Sequence, residues 1–502
     1  MAEQSLRDVR IEKRQLLERE GVQVHPDRFE RTHTLREVMG LATGTPVRAA
    51  GRIGQLRKFG KLTFATLEDF EGHIQIALLR DELDADPEAS RKKYELFSKG
   101  VDRWDFIGVD GQMYVTDKGE LTIRVRNWTL LGKTLQPPPN KYQGVKDVET
   151  NWRKRYLDLV SNEETRHRFR VRTKSVNALR DYLNRHGFDE VETPILNNQQ
   201  SGALARPFFT KHNALDIDLV LRIAPETYLK RLIVGGYDRV YEFARCFRNE
   251  GLAASHLQEF TMLEYYAAYW NYEDNMAFTE AMLRYAIQEA VGTLQIQRGG
   301  HTIDFAQPWP RLRLRDVILE ASGIDIDAHH DAASMRAAIF AAKVELDNPD
   351  AGRGSLIDQL YKRTARPKLI QPTFIVGHPV DLSPLARRSD TNPDAVDRFQ
   401  LVVDTWEVIN AYSELVDPLD QRRRFEEQAE LRKKGDDEAM PPDEDYLTAM
   451  EFGMPPISGW GMGIDRFVAL LTGAPNLRDV VWFPLMRPVS DEEAVPEETE
   501  TK

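Results

Sequence analysis

The chain has 502 residues with one cysteine, Cys246, and a formal net charge of -12. That length has room for two or three domains, while a single cysteine excludes an internal disulfide framework and a cysteine-rich zinc site. The acidic balance excludes indiscriminate nucleic-acid binding but allows a local basic patch for RNA. With a charged N-terminus and no apolar run long enough for a signal peptide or a membrane span, the sequence predicts a soluble, cytoplasmic protein with no membrane partner.

In chain order, residues 1–45 read as an N-terminal helical extension, with one charged helix over 6–21 and an irregular stretch after it. From residue 46 the pattern becomes short period-two runs at 46–56, 61–67, 73–79, 105–115 and 121–131, with a helix near 87–99. Five strands with a helix between the third and fourth predict an OB-type β-barrel over 46–135. Arg52, Arg57, Lys58 and Lys61 crowd its first hairpin, interleaved with Phe59 and Phe64. Cations that track a backbone and rings that stack on bases are the ingredients of single-stranded RNA recognition. Phe64 could stack on a base and Gln75 and Glu120 could hydrogen-bond to base edges, against the plainer reading of a core phenylalanine and solvated lysines.

A proline-rich linker, 136–165, leads to a second domain expected over 166–490 and an acidic tail over 491–502. The domain opens with an amphipathic helix near 164–186, followed by a short strand over 188–196 that Pro194 confines to a sheet edge. That edge beside a helix is an expected dimer surface. A small-residue loop, 201–208, and Ala224-Pro225-Glu226 at the end of the strand 219–223 then approach one cavity.

The chemistry concentrates between Arg239 and Tyr266, two period-two arms joined by a polar tip. On the return arm Phe260, Met262, Glu264 and Tyr266 share one face, because strand side chains alternate. With Arg248 and Glu250, this hairpin can hold a phosphate, a flat base and a cationic group together. A mostly helical insertion is expected at about 311–366. A second hairpin, 397–403 with 407–414, carries Glu407, Asn410, Tyr412 and Glu414, which near a triphosphate would hold Mg2+ or a ligand ammonium. Finally, Gly459, Gly461 and Gly463 alternate into a helix with Arg466 in its first turn, a place that favours an anion. A pocket this rich in carboxylates demands a cationic substrate, since an unpaired buried carboxylate is costly.

Phe247-Arg-Asn-Glu250, His256 through Phe260, and Gly461-Met-Gly-Ile-Asp-Arg466 closely resemble motifs 2 and 3 of class II aminoacyl-tRNA synthetases, and Pro194 with its preceding helix resembles motif 1. Ala205-Arg-Pro-Phe208, Ala224-Pro-Glu226, Ser383-Pro-Leu-Ala-Arg-Arg388 and Asn410-Ala-Tyr-Ser-Glu-Leu415 are similar to the bacterial lysyl-tRNA synthetase family. The resemblance spans about 46–488. It implies an α+β protein: an OB barrel reading the anticodon of lysine tRNA, and a homodimeric catalytic domain on an antiparallel sheet flanked by helices. It also implies activation of L-lysine by ATP to lysyl-adenylate, then transfer to the 3' end of the tRNA.

Carried onto this sequence, the resemblance gives Arg248 the α-phosphate and the lysine carboxylate, and Arg466 the γ-phosphate, making these two the catalytic pair. Glu250, His256 and Glu407 would contact ATP, and Phe260 would stack on adenine. Gly202, Glu226, Glu264, Tyr266, Asn410, Tyr412 and Glu414 would line the lysine pocket. Gln400 and Glu407 would hold Mg2+, although a glutamate is usual at Gln400. Trp406, Val416 and Leu257-Gln258 also depart from the usual pattern. Two other readings stay open: a diverged enzyme that uses lysyl-adenylate on another acceptor, and a catalytically silent RNA-binding protein.

Overall fold

The computed structural model describes residues 5–138, 147–203, 205–251, 253–433 and 441–488, leaving the expected tail over 491–502 and part of the proline-rich linker outside the described residues. The chain divides into two compact units, Met1–Asn151 with Tyr156–Asn162, and Trp152–Arg155 with Glu163–Lys502.

In the first unit, strands Pro46–Phe59, Leu62–Glu68, His73–Leu79, Phe106–Val115 and Leu121–Gly132 close a barrel in the order first, second, third, fifth, fourth. Helix Pro87–Gly100 sits between the third and fourth strands, as the OB pattern requires. Period-two alternation decides which side chains go in: strand Leu62–Glu68 buries Thr63, Ala65 and Leu67 and turns Phe64, Thr66 and Glu68 outward. The N-terminal helix Leu6–Arg19 starts at a Ser5 cap, whose side chain accepts from the Asp8 amide. It is fastened to the barrel by Lys13, 2.5 Å from Asp102, and by Arg10, whose guanidinium donates to the carbonyls of Arg103 and Thr134 at 3.2 and 3.1 Å.

The second unit is built on an eight-stranded sheet. From edge to edge its strands are Arg311–Arg313, Thr373–Pro379, Ala395–Val403, Trp406–Ser413, Ile457–Gly463, Glu259–Ala268, Arg239–Phe247 and Asp189–Glu190. Only the two outermost pairings are parallel. Residues Tyr241, Leu263, Tyr265, Leu401, Ala411, Trp460 and Met462 point to one face and join the main core with the helices Glu163–Arg185, Tyr272–Val291 and Ile464–Thr472. Their neighbours one position along, among them Glu264, Tyr266, Asn410, Tyr412 and Gly461, are left on the other face. One face of the sheet makes the fold stable, and the other carries chemistry.

Two expectations are altered here. The run 188–196 does not form one strand: Asp189–Glu190 pairs at the edge of the large sheet, and Leu196–Asn197 joins a separate three-stranded sheet with Phe209–His212 and Ile217–Leu221. Pro194 lacks an N–H for a ladder, and the link is held by side chains instead. Thr193 Oγ1 donates to Glu242 at 2.6 Å, and the Thr193 carbonyl accepts from Arg222 at 3.0 Å. The expected helical insertion begins as the edge strand Arg311–Arg313 and then forms helices Leu314–Ser322, Ala332–Ala341 and Arg353–Thr364. These close on a small core of their own around Ile318, Met335, Ile339, Leu356 and Leu360.

Candidate active site

Sheet register builds the site. Glu264 pairs with Gly461, Gly461 with Asn410, and Asn410 with Gln400, so these four positions stand in one row on the open face. The next row is Tyr266, Gly459, Tyr412 and Arg398. Glycine in the central strand hollows the floor. A Cβ at Gly459 would come within 2.0 Å of Glu414 Oε1, so that carboxylate reaches its place only because the side chain is missing. Gly202, at φ 84° and therefore in a conformation that favours glycine, brings its loop against Glu226.

The result is a cavity of about 350 Å³. Gly202, Glu226, Glu264, Tyr266, Asn410, Tyr412 and Glu414 line one end of it, and Arg248, Glu250, His256, Phe260, Glu407 and Arg466 the other. Residues from five separate segments, spread between positions 202 and 466, thus meet at one cavity.

At the second end, the Arg248 guanidinium lies over the Phe260 ring, 5.1 Å from its centroid, and its Nε is buried with no hydrogen-bond partner among the described residues. The hairpin tip is held by backbone pairing of Arg248 N to Gln258 O at 2.9 Å, while the Gln258 amide donates to the carbonyls of Glu250 and Gly251. Gln258, an unexpected residue in the motif, is therefore a staple for the tip. Arg466 leads from the helix Ile464–Thr472 and donates to the Glu407 carbonyl at 3.1 Å, with His256 Nε2 at 3.4 Å from its other nitrogen. Burial and then the nearby Arg466 charge hold the His256 imidazole below its usual range, so it faces the cavity as a neutral group. Asp465 locks this helix start by accepting from the Thr261 amide at 3.0 Å and from Arg172 at 2.6 Å.

The first end is dominated by buried acids. Glu226, Glu264 and Glu414 are 6%, 5% and 1% exposed. Burial, reinforced by Glu226, pushes the Glu264 carboxyl up to about 8. Burial also raises Glu414 well above the carboxylate range, against the pull of Lys230. Tyr412 donates to Glu226 at 2.7 Å and Tyr266 to Glu264 at 3.1 Å. Burial thus holds these acids toward their neutral forms, and a cation brought beside them would favour ionisation.

The two side chains expected at a metal differ in placement. Glu407 borders the cavity, whereas Gln400 is 6% exposed, does not line the cavity, and sits beside the buried His378 imidazole. Among the described residues no group of three or more His, Cys, Asp or Glu side chains converges as a metal centre.

Residues 147–487 match the family described as tRNA synthetases class II (D, K and N), and residues 47–131 match the OB-fold nucleic acid binding domain. The lysine–tRNA ligase of Pelotomaculum thermopropionicum is 46% identical over 484 residues, 96% of this chain and 94% of that protein. The chain belongs to the lysine–tRNA ligase family of class II tRNA synthetases. The lysine–tRNA ligases of Moorella thermoacetica and Bacillus subtilis are 45% and 44% identical over 490 residues each, covering 97% and 95% of this synthetase and 99% and 96% of those proteins.

Motif reading missed some of the synthetase's site. Arg398 is half-buried at the cavity wall, where it donates to Asn410 Oδ1 at 2.8 Å and to Ser383 Oγ at 2.7 Å. The alternation of the second hairpin, Asp397-Arg398-Phe399-Gln400, was the available signal. Lys230, discussed below, follows Glu226 by four residues, a spacing that ordinarily marks a solvated helix pair. On the barrel, Phe64 pairs in register with Arg57, and Thr66 with Gln75, whose amide donates to Thr122 at 3.0 Å. Glu120 precedes that last strand and is exposed, so the three expected RNA contacts share one outward surface.

Proposed function

We propose that this synthetase activates L-lysine with ATP and transfers it to lysine tRNA, with the roles of its residues as follows. The carboxylate oxygen of lysine attacks the α-phosphorus, the bond to the β-phosphate oxygen breaks, and pyrophosphate leaves with the electron pair. No protein nucleophile is needed, because the attacking group is already ionised. Arg248 touches both partners, drawing the lysine carboxylate and the α-phosphate together against their mutual repulsion. Arg466 holds the γ-phosphate and keeps the leaving group in line. Adenine stacks on Phe260, and Glu250 and the neutral His256 contribute hydrogen bonds to the nucleotide. Mg2+ bound with ATP supplies charge neutralisation at the phosphates. Glu407, which borders the cavity, would hold it, while Gln400, which does not line the cavity, would act only indirectly. Glu226, Glu264 and Glu414 receive the two ammonium groups of lysine, with Gly202, Tyr266, Asn410 and Tyr412 shaping the pocket. A terminal 3'-hydroxyl of the tRNA then attacks the mixed anhydride, and AMP leaves.

The observation that carries this reading is the clustering of three buried carboxyl groups beside an arginine-and-aromatic phosphate end in one cavity. Phe64, Gln75 and Glu120 on the barrel are proposed to meet the anticodon. A homodimer is proposed from the apolar side chains Leu196, Phe209, Leu215 and Ile217, which are exposed on and around the small sheet. A cytoplasmic setting agrees with a single, buried, unpaired cysteine, and no helix among the described residues is long and apolar enough to cross a membrane.

The test is lysine-dependent exchange of pyrophosphate with ATP, followed by charging of purified lysine tRNA. Exchange with charging supports the whole reading. Exchange without charging redirects it to another acceptor, and absence of both overturns it.

A further inference from the structure

Lys230 lies on the helix Glu226–Val234 and is completely buried. Its Nζ is 2.5 Å from Glu226 Oε1 and is also ion-paired with Glu414 Oε2. The rings of Tyr412, Tyr266 and Tyr446 surround it, with Nζ 5.7 to 5.8 Å from their centroids. Burial alone would depress this lysine, but Glu226 and Glu414 reverse that and hold it above its ordinary range. A permanent cation is thus already built into the lysine pocket.

Three buried carboxyl groups, Glu226, Glu264 and Glu414, face the pocket; Lys230 joins two of them, and Arg398 stands at the wall beside Asn410. Burial holds Glu264 and Glu414 toward their protonated forms, and an ammonium of the incoming amino acid favours the ionised ones. Resting on the lysine reading above, we infer that Lys230 is a specificity-determining positioning residue. It clamps Glu226 and Glu414 together so that both face the side-chain ammonium of one ligand, which a dicationic amino acid supplies and a monocationic one does not. The clamp also aims the Glu414 carboxylate over Gly459, where its Oε1 has no hydrogen-bond partner and faces the cavity.

The test uses the full-length chain and ATP–pyrophosphate exchange. Lys230→Met keeps the length and removes the charge. The expected result is a rise of tenfold or more in the KM for lysine with the KM for ATP within about twofold, and partial restoration in Lys230→Ala by added propylammonium chloride. A double variant, Lys230→Met with Glu414→Gln, removes the ion pair as a unit and keeps the test available if the single variants do not fold. Its loss in lysine KM should fall short of the two single losses combined, since the two residues share a contact. An unchanged lysine KM in Lys230→Met, equal losses for lysine and ATP, or additive losses in the double variant would overturn the inference. Wild-type enzyme without lysine-dependent exchange would instead overturn the reading on which it rests.

Discussion

The amino-acid pocket and the outer face of the barrel both recognise polar partners, yet they are built in opposite ways. In the pocket, Glu226, Lys230, Glu264 and Glu414 are all less than a tenth exposed, and their charges are set by each other. On the barrel, Phe64 and Gln75 are half-buried and Glu120 is exposed, and Gln75 already has a partner in Thr122. A buried charged site is organised before its ligand arrives, so deleting one group leaves another uncompensated. An exposed face adds contacts singly, and water replaces what is lost. Large, selective effects belong to the first region and modest ones to the second.

The largest effect expected is from Arg248→Ala, which removes the guanidinium proposed to meet both the lysine carboxylate and the α-phosphate. Adenylate formation should fall by roughly 10²- to 10³-fold, the effect typical of losing one transition-state donor, with circular dichroism unchanged. Exchange near the wild-type rate would remove Arg248 from the mechanism. Next comes Glu414→Gln, for which breaking a buried charge pair costs about 2 to 5 kcal/mol. Lysine should weaken by a factor of tens or more and ATP hardly at all, as read from the separate KM values. Equal weakening would erase the contrast between the two ends of the cavity.

A third expectation concerns pH. Glu264 titrates near 8 in the free pocket, among Glu226, Lys230, Arg248 and Tyr266, and a cationic ligand needs it ionised. Lysine binding should therefore release a proton below pH 8, and its KM should rise as pH falls, approaching tenfold per unit. The lysine-free fold behaves in the opposite sense. Its carboxyl holds a proton that the unfolded chain has lost, so stability falls as pH rises from about 5 through 8. A flat KM profile between pH 6 and 8 would show that Glu264 does not face the ligand's charge.

On the barrel, Phe64→Ala should raise the tRNA concentration needed for charging about tenfold, within the ~1 to 3 kcal/mol of a lost stacking contact. Lysine-dependent exchange should be untouched. If both activities fall together, Phe64 supports the barrel rather than RNA. The smallest effect is expected for Gln400→Glu: the Mg2+ concentration for half-maximal exchange should drop a few-fold, since a hard cation prefers an anionic oxygen. An unchanged midpoint would place residue 400 with His378 and away from the metal.

Much of this molecule was readable in one dimension because its chemistry follows short periods. Alternation along 259–266 placed Glu264 and Tyr266 together, and the glycines of 459–463 announced a strand that ligands approach closely. The five barrel strands and the helix between them were also set by local pattern and turn residues. The sequence by itself determined the family, the two building blocks and a set of residues that line the cavity, since motifs encode contacts that a ligand imposes on neighbouring positions. Only the tertiary structure decided who partners whom. Lys230 follows Glu226 at an ordinary helical spacing, and nothing local says that the pair is buried under three tyrosines and shared with Glu414. Gln400 stands in the same row as Asn410 but turns to His378, a choice made by the packing of strand Thr373–Pro379 beside it. The physical reason is common to both: burial and long-range Coulomb interaction depend on what lies across space, and a residue's neighbours along the chain do not specify it.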